Sequence, residues 1–261
     1  MINLTLQIIL PFVLSALVVI IIMFIAEKYG TKMGGILGTL PSTIIVAYIF
    51  IALNKGVFFA SDSVAVVPAE IGINLIFLFI FAILVKKSIY FAFLASFTAW
   101  VGLSFVLWAM DLKNIYISLS IFFTLMFFTA FTLEKIIKIK SFDQKIVHYT
   151  FKKIALRGVL AGTVIAITVL LSNVGEVISG IISVFPAIIT STMYISYYEH
   201  GADFASALAK TMIIGSLSVV SYAVSIHFFY PVYGIFFGSI AGFFISVIIT
   251  LMILRFRKKL I

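Results

Sequence analysis

Charged residues are scarce in this chain of 261 residues. Only 10% are Asp, Glu, Lys or Arg, against about 25% in soluble domains, whereas 64% are apolar and the mean hydropathy is +1.29. No polar block long enough to fold alone interrupts the apolar runs between residues 6 and 254. The composition therefore predicts a polytopic membrane protein rather than a soluble enzyme with one anchor.

Cysteine is absent, which excludes disulfides, cysteine-ligated metals and thiol chemistry. Intramembrane hydrolases use a Ser paired with a His deep in the membrane, or two Asp residues, and metal-dependent transferases use acidic metal-binding clusters. The apolar runs contain none of these combinations. We therefore expect no enzyme activity, no metal site and no cofactor.

Nine apolar runs are long enough for a helix to cross the bilayer, which takes about 20 residues. They lie near 6–26, 34–53, 64–85, 88–110, 115–133, 154–172, 176–198, 205–228 and 232–254. Each run is continuously apolar, whereas the strands of a membrane barrel alternate and stop after about ten residues. The predicted fold is an all-α polytopic membrane protein with nine transmembrane helices.

The basic residues divide unequally between the two faces that nine spans define. One face collects sixteen of the 18 Lys and Arg residues, and the other has only Lys55 and Lys113. An excess of Lys and Arg marks the cytoplasmic side, so we predict a plasma-membrane protein with its N-terminus outside and its C-terminus in the cytoplasm. The net charge of +9 is then a topology signal and no sign of nucleic-acid binding.

An internal repeat links the two ends of the chain. A shift of 145 residues aligns 31–61 with 176–206 without a gap. Eight positions are identical: Gly35/Gly180, Ile36/Ile181, Pro41/Pro186, Ile44/Ile189, Gly56/Gly201, Phe59/Phe204, Ala60/Ala205 and Ser61/Ser206. Spans one to four then correspond to spans six to nine, and a displacement of five spans inverts the second copy. The predicted organisation is a four-helix repeat (1–111), a linker helix with a basic loop (112–150) and an inverted four-helix repeat (151–261).

The stretch Gly35–Thr43, and its partner Gly180–Pro186 followed by Tyr198–Gly201, resemble the small four-span GlpM-type bacterial inner-membrane proteins. In those proteins a glycine-rich turn, a mid-helix proline and a later glycine with a basic residue occur similarly. The resemblance covers each half separately, leaves the fifth span unmatched, and finds no first-half counterpart of Lys210. It implies a duplicated four-span unit and indicates no substrate.

Two prolines interrupt apolar spans near their centres, Pro41 in the second span and Pro186 in the seventh. Proline removes a backbone donor and clashes with the carbonyl four residues earlier, so each is predicted to kink or break its helix at membrane depth. Two broken helices that enter from opposite sides would place half-helix N-termini near the midplane, where a substrate or ion binds. Alternatively, both prolines only shape helix packing.

Small and hydroxylated residues form one-sided stripes around these breaks. The pathway candidates among them are Gly38, Thr39, Ser42, Thr43, Ser183, Thr190, Ser191 and, in the eighth span, Ser218. Such faces look toward other helices or toward water, because a lipid-facing hydroxyl gains nothing. They line a pathway or pack helices together, and the sequence leaves both interpretations open.

Glu70 is the only carboxylate well inside a span, and Asn74 follows one turn deeper on the same side of the helix. A buried carboxylate is costly and typically marks an ion, proton or ligand pathway, unless Glu70 reaches the outer interface or caps a helix broken at Pro68. Lys210, near the inner end of the eighth span, is a pathway residue or extends its ammonium group to the membrane surface.

These features favour a transporter that moves a small solute or ion by alternating access between inverted repeats. A passive ion channel of dual-topology ancestry and a membrane scaffold or assembly factor are the alternatives. The expected partners are the lipid bilayer and an unidentified small solute or ion. An oligomer is possible and is not required, because two fused halves suffice for one pathway.

Overall fold

The structure is a computed structural model that describes residues 5–28, 41–139 and 150–257. Gly38 and Thr39, both pathway candidates, lie outside the described residues. Within the described ranges the chain is built from helices and short turns, with no strand. The predicted all-α class is therefore confirmed.

Ten α-helices and two π-helical turns make up the described chain. They are, in order, the turn Thr5–Ile9, α1 (Leu10–Lys28), α2 (Ser42–Lys55), α3 (Val57–Val64), α4 (Val67–Leu84), α5 (Ile89–Ala109), α6 (Ile115–Phe131), the turn Thr132–Ile136, α7 (Phe151–Leu171), α8 (Glu176–Ser183), α9 (Ala187–Gly215) and α10 (Leu217–Arg257). Helix α9 bends at Gly201 and α10 bends at Gly234.

Five helical runs of the described chain are long and apolar enough to cross a bilayer: Val57–Leu84, Ile89–Ala109, Ile115–Ile136, Phe151–Leu171 and the bent run Glu176–Ile253. Two shorter apolar helices, Gln7–Ile21 and Ser42–Lys55, accompany them. These are the helices of a membrane-embedded protein. The number of nine spans, the choice of membrane and the orientation of the termini stay predictions.

Local chemistry explains where several helices begin and turn. Asn114 caps α6 by accepting hydrogen bonds from the backbone N–H groups of Tyr116 (2.9 Å) and Ile117 (3.2 Å). Gly56 between α2 and α3 has φ +91° and ψ 164°, and Gly201 inside α9 has φ +84° and ψ 176°. Only glycine adopts this region readily, so the chain turns sharply at both positions.

The run Val57–Leu84 forms the centre of the bundle, because 78% of its most apolar 18-residue stretch is buried. The corresponding fractions for α5 and for the run containing α6 are 28% and 22%, and these two helices carry exposed aromatic side chains such as Tyr90 and Phe127. A large apolar surface of this kind faces lipid in a membrane protein. Helix α4 is therefore surrounded by protein, whereas α5 and α6 lie at the periphery.

Helices α1 and α7 pack closely and run antiparallel. Asn173 at the end of α7 donates to Gln7 Oε1 (3.3 Å), whereas Gly162 faces Phe12 and Gly158 faces Ile20. A Cβ atom at Gly162 would lie 2.6 Å from the carbonyl oxygen of Phe12. Small residues at these positions permit the close approach, as they do in many membrane helix pairs.

Candidate functional site

The first element of the site is a break in the helical chain at Pro186. Helix α8 ends at Ser183 and α9 begins at Ala187. The N–H of Ala187 donates to Phe185 O (2.8 Å), and the first regular bond of α9 runs from Thr190 N to Pro186 O (2.8 Å). The N–H groups of Ile188 and Ile189 therefore have no carbonyl partner within α9.

The second element is the start of α2 after Pro41, which has nearly the same backbone conformation as Pro186. The φ and ψ angles are −78° and 50° at Pro41, and −76° and 35° at Pro186. The first regular bond of α2 runs from Ile45 N to Pro41 O (3.2 Å). The N–H groups of Ser42, Thr43 and Ile44 precede that bond and have no carbonyl partner within α2.

A cavity of about 180 Å³ lies at these two helix starts. Its described lining consists of Pro41, Ser42, Thr43, Ile44, Ile71, Asn74, Leu75, Leu78, Ala161, Val164, Ile165, Ser183, Val184, Phe185, Ala187, Ile188, Ile189, Met212, Gly215, Ser216 and Val219. No charged side chain belongs to this set. Four hydroxyl groups and one carboxamide provide the polar side chains of an otherwise apolar wall.

Asn74 is the buried polar side chain of this wall, with 4% of its surface exposed. Its Nδ2 donates to Val184 O, in the break before α9, over 2.8 Å. Its Oδ1 has no hydrogen-bond partner among the residues that the structure describes. A buried acceptor without a donor is costly, so a ligand that donated a hydrogen bond to Asn74 Oδ1 would be stabilised.

Glu70 lies outside this cavity. The residue is fully buried, and Ser104 of α5 donates to its Oε1 over 2.7 Å. Asn74 points to the break before α9, whereas the Glu70 carboxylate points to α5. The two residues lie only one turn apart on α4, but their side chains contact different helices and do not form one site.

The other predicted pathway residues occupy separate positions. Thr190 donates to Pro186 O (2.7 Å) and Ser191 donates to Ile188 O (3.0 Å), so both hydroxyls satisfy carbonyls of the first turn of α9. Lys210 binds Glu134 Oε2 and Ile139 O, each over 2.7 Å. Ser218 accepts a bond from Thr250 (2.8 Å) within α10. Of the predicted pathway residues, Pro41, Ser42, Thr43, Asn74 and Ser183 line the cavity, whereas Pro186 lies between the lining residues Phe185 and Ala187 and does not line it itself.

Arg157 is a polar residue of the bundle interior that was not among the predicted pathway residues. It is 6% exposed, and its guanidinium donates to the Thr192 hydroxyl and to Ile188 O (3.5 Å). One turn earlier on α7, Lys153 forms an ion pair with Glu199 of α9. The spacing of four between Lys153 and Arg157 could have indicated that both lie on the same side of α7.

A second group of contacts joins α8 to the first part of the chain. Ser63 of α3 donates to Glu176 O (2.9 Å), and Tyr48 donates to Ser63 O (3.3 Å) and accepts from Ser183 (3.4 Å). A Cβ atom at Gly180 would lie 2.2 Å from Ser63 O, so α8 and α3 touch backbone to backbone. These contacts hold α8 against α2 and α3.

Lys113, in the loop between α5 and α6, joins the same end of α8. Its Nζ lies 3.0 Å from Glu176 Oε2 and 3.3 Å from Asp111 Oδ2. Hydrogen bonds to Glu176, and then to Asp111, raise the pKa of Lys113 above its usual value. The ammonium group therefore stays charged and links the loop to α8 over the physiological pH range.

Two hydrogen bonds in the structure are related by the shift of 145 residues that aligns 31–61 with 176–206. Ser61 donates to His227 O (2.7 Å), and Ser206 donates to Ala82 O (2.8 Å). The shift maps Ser61 onto Ser206 and Ala82 onto His227. Reciprocal contacts of this kind are what a two-fold relation between two units produces.

Neither a protein-family model, nor a curated protein, nor a solved structure matches this chain. The GlpM-type resemblance stays a prediction.

Proposed function

We propose that this protein is a membrane transporter that carries a small solute through the cavity by alternating access. The observation that carries the proposal is the start of α2 and of α9 at one cavity, each directly after a proline. Half-helix ends at membrane depth are tolerated where they line a cavity, and they are a recurring feature of transporter binding sites.

The proposal includes nine spans organised as two inverted four-helix repeats around a linker helix. Three observations support it: the matched backbone angles at Pro41 and Pro186, the matched angles at Gly56 and Gly201, and the reciprocal bonds of Ser61 and Ser206. The antiparallel packing of α1 and α7, the first helices of the two proposed repeats, has the direction that inversion requires. A duplicated GlpM-type unit would account for all of them.

The ion pairs support the proposed division of residues between two membrane faces. Lys86–Asp203, Lys153–Glu199 and Lys210–Glu134 each join two residues of the proposed cytoplasmic face. Lys113 contacts Glu176 and Asp111, which all belong to the proposed outer face. We infer an extracellular N-terminus and a cytoplasmic C-terminus in the plasma membrane.

Alternating access requires contacts that can open on either side of the cavity. On the proposed cytoplasmic side, Arg157 and Lys153 tie α7 to α9. On the proposed outer side, Ser63 and Tyr48 tie α8 to α2 and α3. We propose that these two groups of contacts break alternately, so that the cavity opens to one side at a time.

Solute flux in proteoliposomes tests the transport proposal. The purified protein is assayed with labelled amino acids, short carboxylates, sugars and monovalent cations, with and without unlabelled solute on the opposite side. Saturable uptake that is accelerated by solute on the opposite side supports a transporter. Non-saturating conductance would instead identify a channel, and no flux for any solute would favour a scaffold.

A matched pair of variants localises any flux to the cavity. Asn74→Leu changes the polar wall and is expected to reduce uptake at least about tenfold, the equivalent of about 1.4 kcal/mol. Thr98→Ala removes an exposed hydroxyl of α5 that bonds only its own helix (2.9 Å to Leu94 O) and should leave uptake unchanged. Equal uptake by both variants would place the pathway elsewhere.

A further inference from the structure

The cavity offers hydrogen-bond donors that come from the backbone. Three N–H groups of α2 and two of α9 have no carbonyl partner in their helices, and all five belong to residues that line the cavity. The N-terminus of a helix also carries a partial positive charge, so two such ends favour an anionic group between them. The described lining contains no lysine or arginine that would select a more highly charged ligand.

The cavity also offers one buried acceptor, Asn74 Oδ1. The orientation of the carboxamide follows from its contact, because Val184 O accepts only from the amide nitrogen. Oδ1 is thereby left for a donor that the described residues do not provide. A simple carboxylate, which has no donor, would leave this acceptor unsatisfied, so the ligand needs a donor as well as an anionic group.

The rest of the wall is apolar and the space is small. Ile44, Ile71 and Leu75 face the cavity from α2 and α4, and Phe185 and Ile189 face it from the second half. The volume of about 180 Å³ is below the roughly 300–1,000 Å³ of pockets for drug-sized ligands. The ligand is therefore a small molecule with an apolar remainder.

We propose that the cavity binds a small monocarboxylate that carries a hydrogen-bond donor beside its carboxyl group and an apolar remainder. Neutral 2-amino acids and 2-hydroxy acids belong to this class. The carboxylate accepts from the N–H groups at the starts of α2 and α9, and the adjacent ammonium or hydroxyl group donates to Asn74 Oδ1. This ligand class rests on the proposed transport function for its biological use, but binding can be tested without transport.

Trp100 provides a reporter for binding. Its ring lies 5.0 Å from the ring of Phe185, which lines the cavity. The second tryptophan of the chain, Trp108, lies at a separate surface pocket beside Lys113. Trp108→Phe leaves Trp100 as the single tryptophan, so its emission can be followed in the full-length protein in detergent.

Four probes separate the features of the ligand. L-leucine and 2-hydroxy-4-methylpentanoate carry both the carboxylate and the donor, 4-methylpentanoate lacks the donor, and leucinol lacks the carboxylate. We expect the first two to change Trp100 emission saturably and the last two to bind about tenfold more weakly, the equivalent of one hydrogen bond or helix-end contact. The proposal would be overturned if all four probes bound equally, or if neither leucine nor the hydroxy acid bound.

Asn74→Leu in the Trp108→Phe background tests the assigned acceptor. The affinity for leucine should fall to that for 4-methylpentanoate, whereas the affinity for 4-methylpentanoate should change little. Thr98→Ala serves as the matched control and should keep the parental affinities. If Asn74→Leu retains the preference for leucine, the donor of the ligand binds elsewhere and the assignment is wrong.

The two proposals fail separately. Binding of leucine or the hydroxy acid without flux supports the ligand class and contradicts transport. Saturable flux of other solutes, with no binding of these two probes, supports transport and contradicts the ligand class. Binding of only one of the two probes supports the class and narrows it to amino acids or to hydroxy acids.

Discussion

The two helix starts at the cavity have nearly the same backbone angles at their prolines and different side chains. The φ and ψ angles of Pro41 (−78° and 50°) are close to those of Pro186 (−76° and 35°), and Gly56 and Gly201 share the same left-handed region. The polar side chains do not follow this similarity. Ser42, Thr43 and Asn74 line the cavity from the first half, and the shift that aligns the repeats places Ala187, Ile188 and Val219 at the equivalent positions.

This difference separates two requirements of the proposed transporter. Similar backbones let two halves exchange conformations, because each has the same bends at equivalent positions. Selectivity needs a particular set of side-chain donors and acceptors, which need not be the same in both halves. The charged contacts are also one-sided: Arg157 and Thr192 tie α7 to α9, whereas the equivalent first-half residues are Phe12 and Ala47.

The sharpest test of inversion labels equivalent positions from each side of the membrane. The chain has no cysteine, so single-cysteine variants report one position each. Phe58 and Asp203 are equivalent under the shift, and both are more than half exposed. We expect a membrane-impermeant maleimide to label Phe58→Cys only from outside intact cells and Asp203→Cys only after the membrane is opened.

The control for labelling is the cysteine-free parent, which should give no signal in either preparation. An additional single-cysteine variant, Lys113→Cys, belongs to the proposed outer face and should behave like Phe58→Cys. Labelling of Phe58→Cys and Asp203→Cys from the same side would show that the halves are not inverted. The alternating-access proposal would then lose its structural basis.

The paired glycines give the next largest expected effect. Gly56→Ala and Gly201→Ala each place a Cβ atom at a φ of +91° or +84°, a conformation that costs a non-glycine residue about 1–3 kcal/mol. We expect similar losses of unfolding free energy for both variants in detergent, because the two backbones match. Gly102→Ala lies within helix α5 with open space around it and should be neutral or stabilising. Unequal losses at Gly56 and Gly201 would contradict the equivalence of the halves.

The two helix starts after proline and part of the cavity could be predicted from the sequence, because they follow from local chemistry. Proline lacks the N–H that continues a helix, so Pro41 and Pro186 identified the two helix starts. Ser42, Thr43 and Ser183 lie close to these two prolines in sequence and also line the cavity. For these three residues, closeness to a proline along the chain was sufficient to predict that they lie at the cavity.

The directions of more distant side chains could not be predicted from one sequence. Glu70 and Asn74 lie one turn apart, but α5 contacts the first and the break before α9 contacts the second. Arg157 lies near the start of α7, and its partner Thr192 belongs to another helix, α9. Such contacts depend on how helices pack around each other, and hydrophobic spacing does not fix that arrangement.

The reciprocal hydrogen bonds provide a smaller test of equivalence. Ser61→Ala and Ser206→Ala each remove one buried donor, to His227 O and to Ala82 O respectively. Each variant should lose about 1 kcal/mol of unfolding free energy, the typical net value of a hydrogen bond. Thermal or denaturant unfolding of both single variants and the double variant measures this. A loss at one serine only would indicate that the second contact is incidental.

The smallest effect is expected for an ion pair at the proposed cytoplasmic face. Lys86 Nζ lies 2.5 Å from Asp203 Oδ1, but the two side chains are 59% and 66% exposed. Exposed pairs contribute about 0–1 kcal/mol, because water screens the charges and ordering the side chains costs entropy. Lys86→Ala should therefore leave the unfolding free energy almost unchanged, and added salt should have little further effect. Lys210→Met is the matched comparison: its side chain is 12% exposed and binds both Glu134 and a backbone carbonyl, so it should destabilise the protein more. Lys86→Ala could instead prove the more damaging of the two. The contact between the α4–α5 turn and the bend of α9 would then be a main link between the halves, and the charged contacts of Arg157 and Lys153 would not be the principal ones.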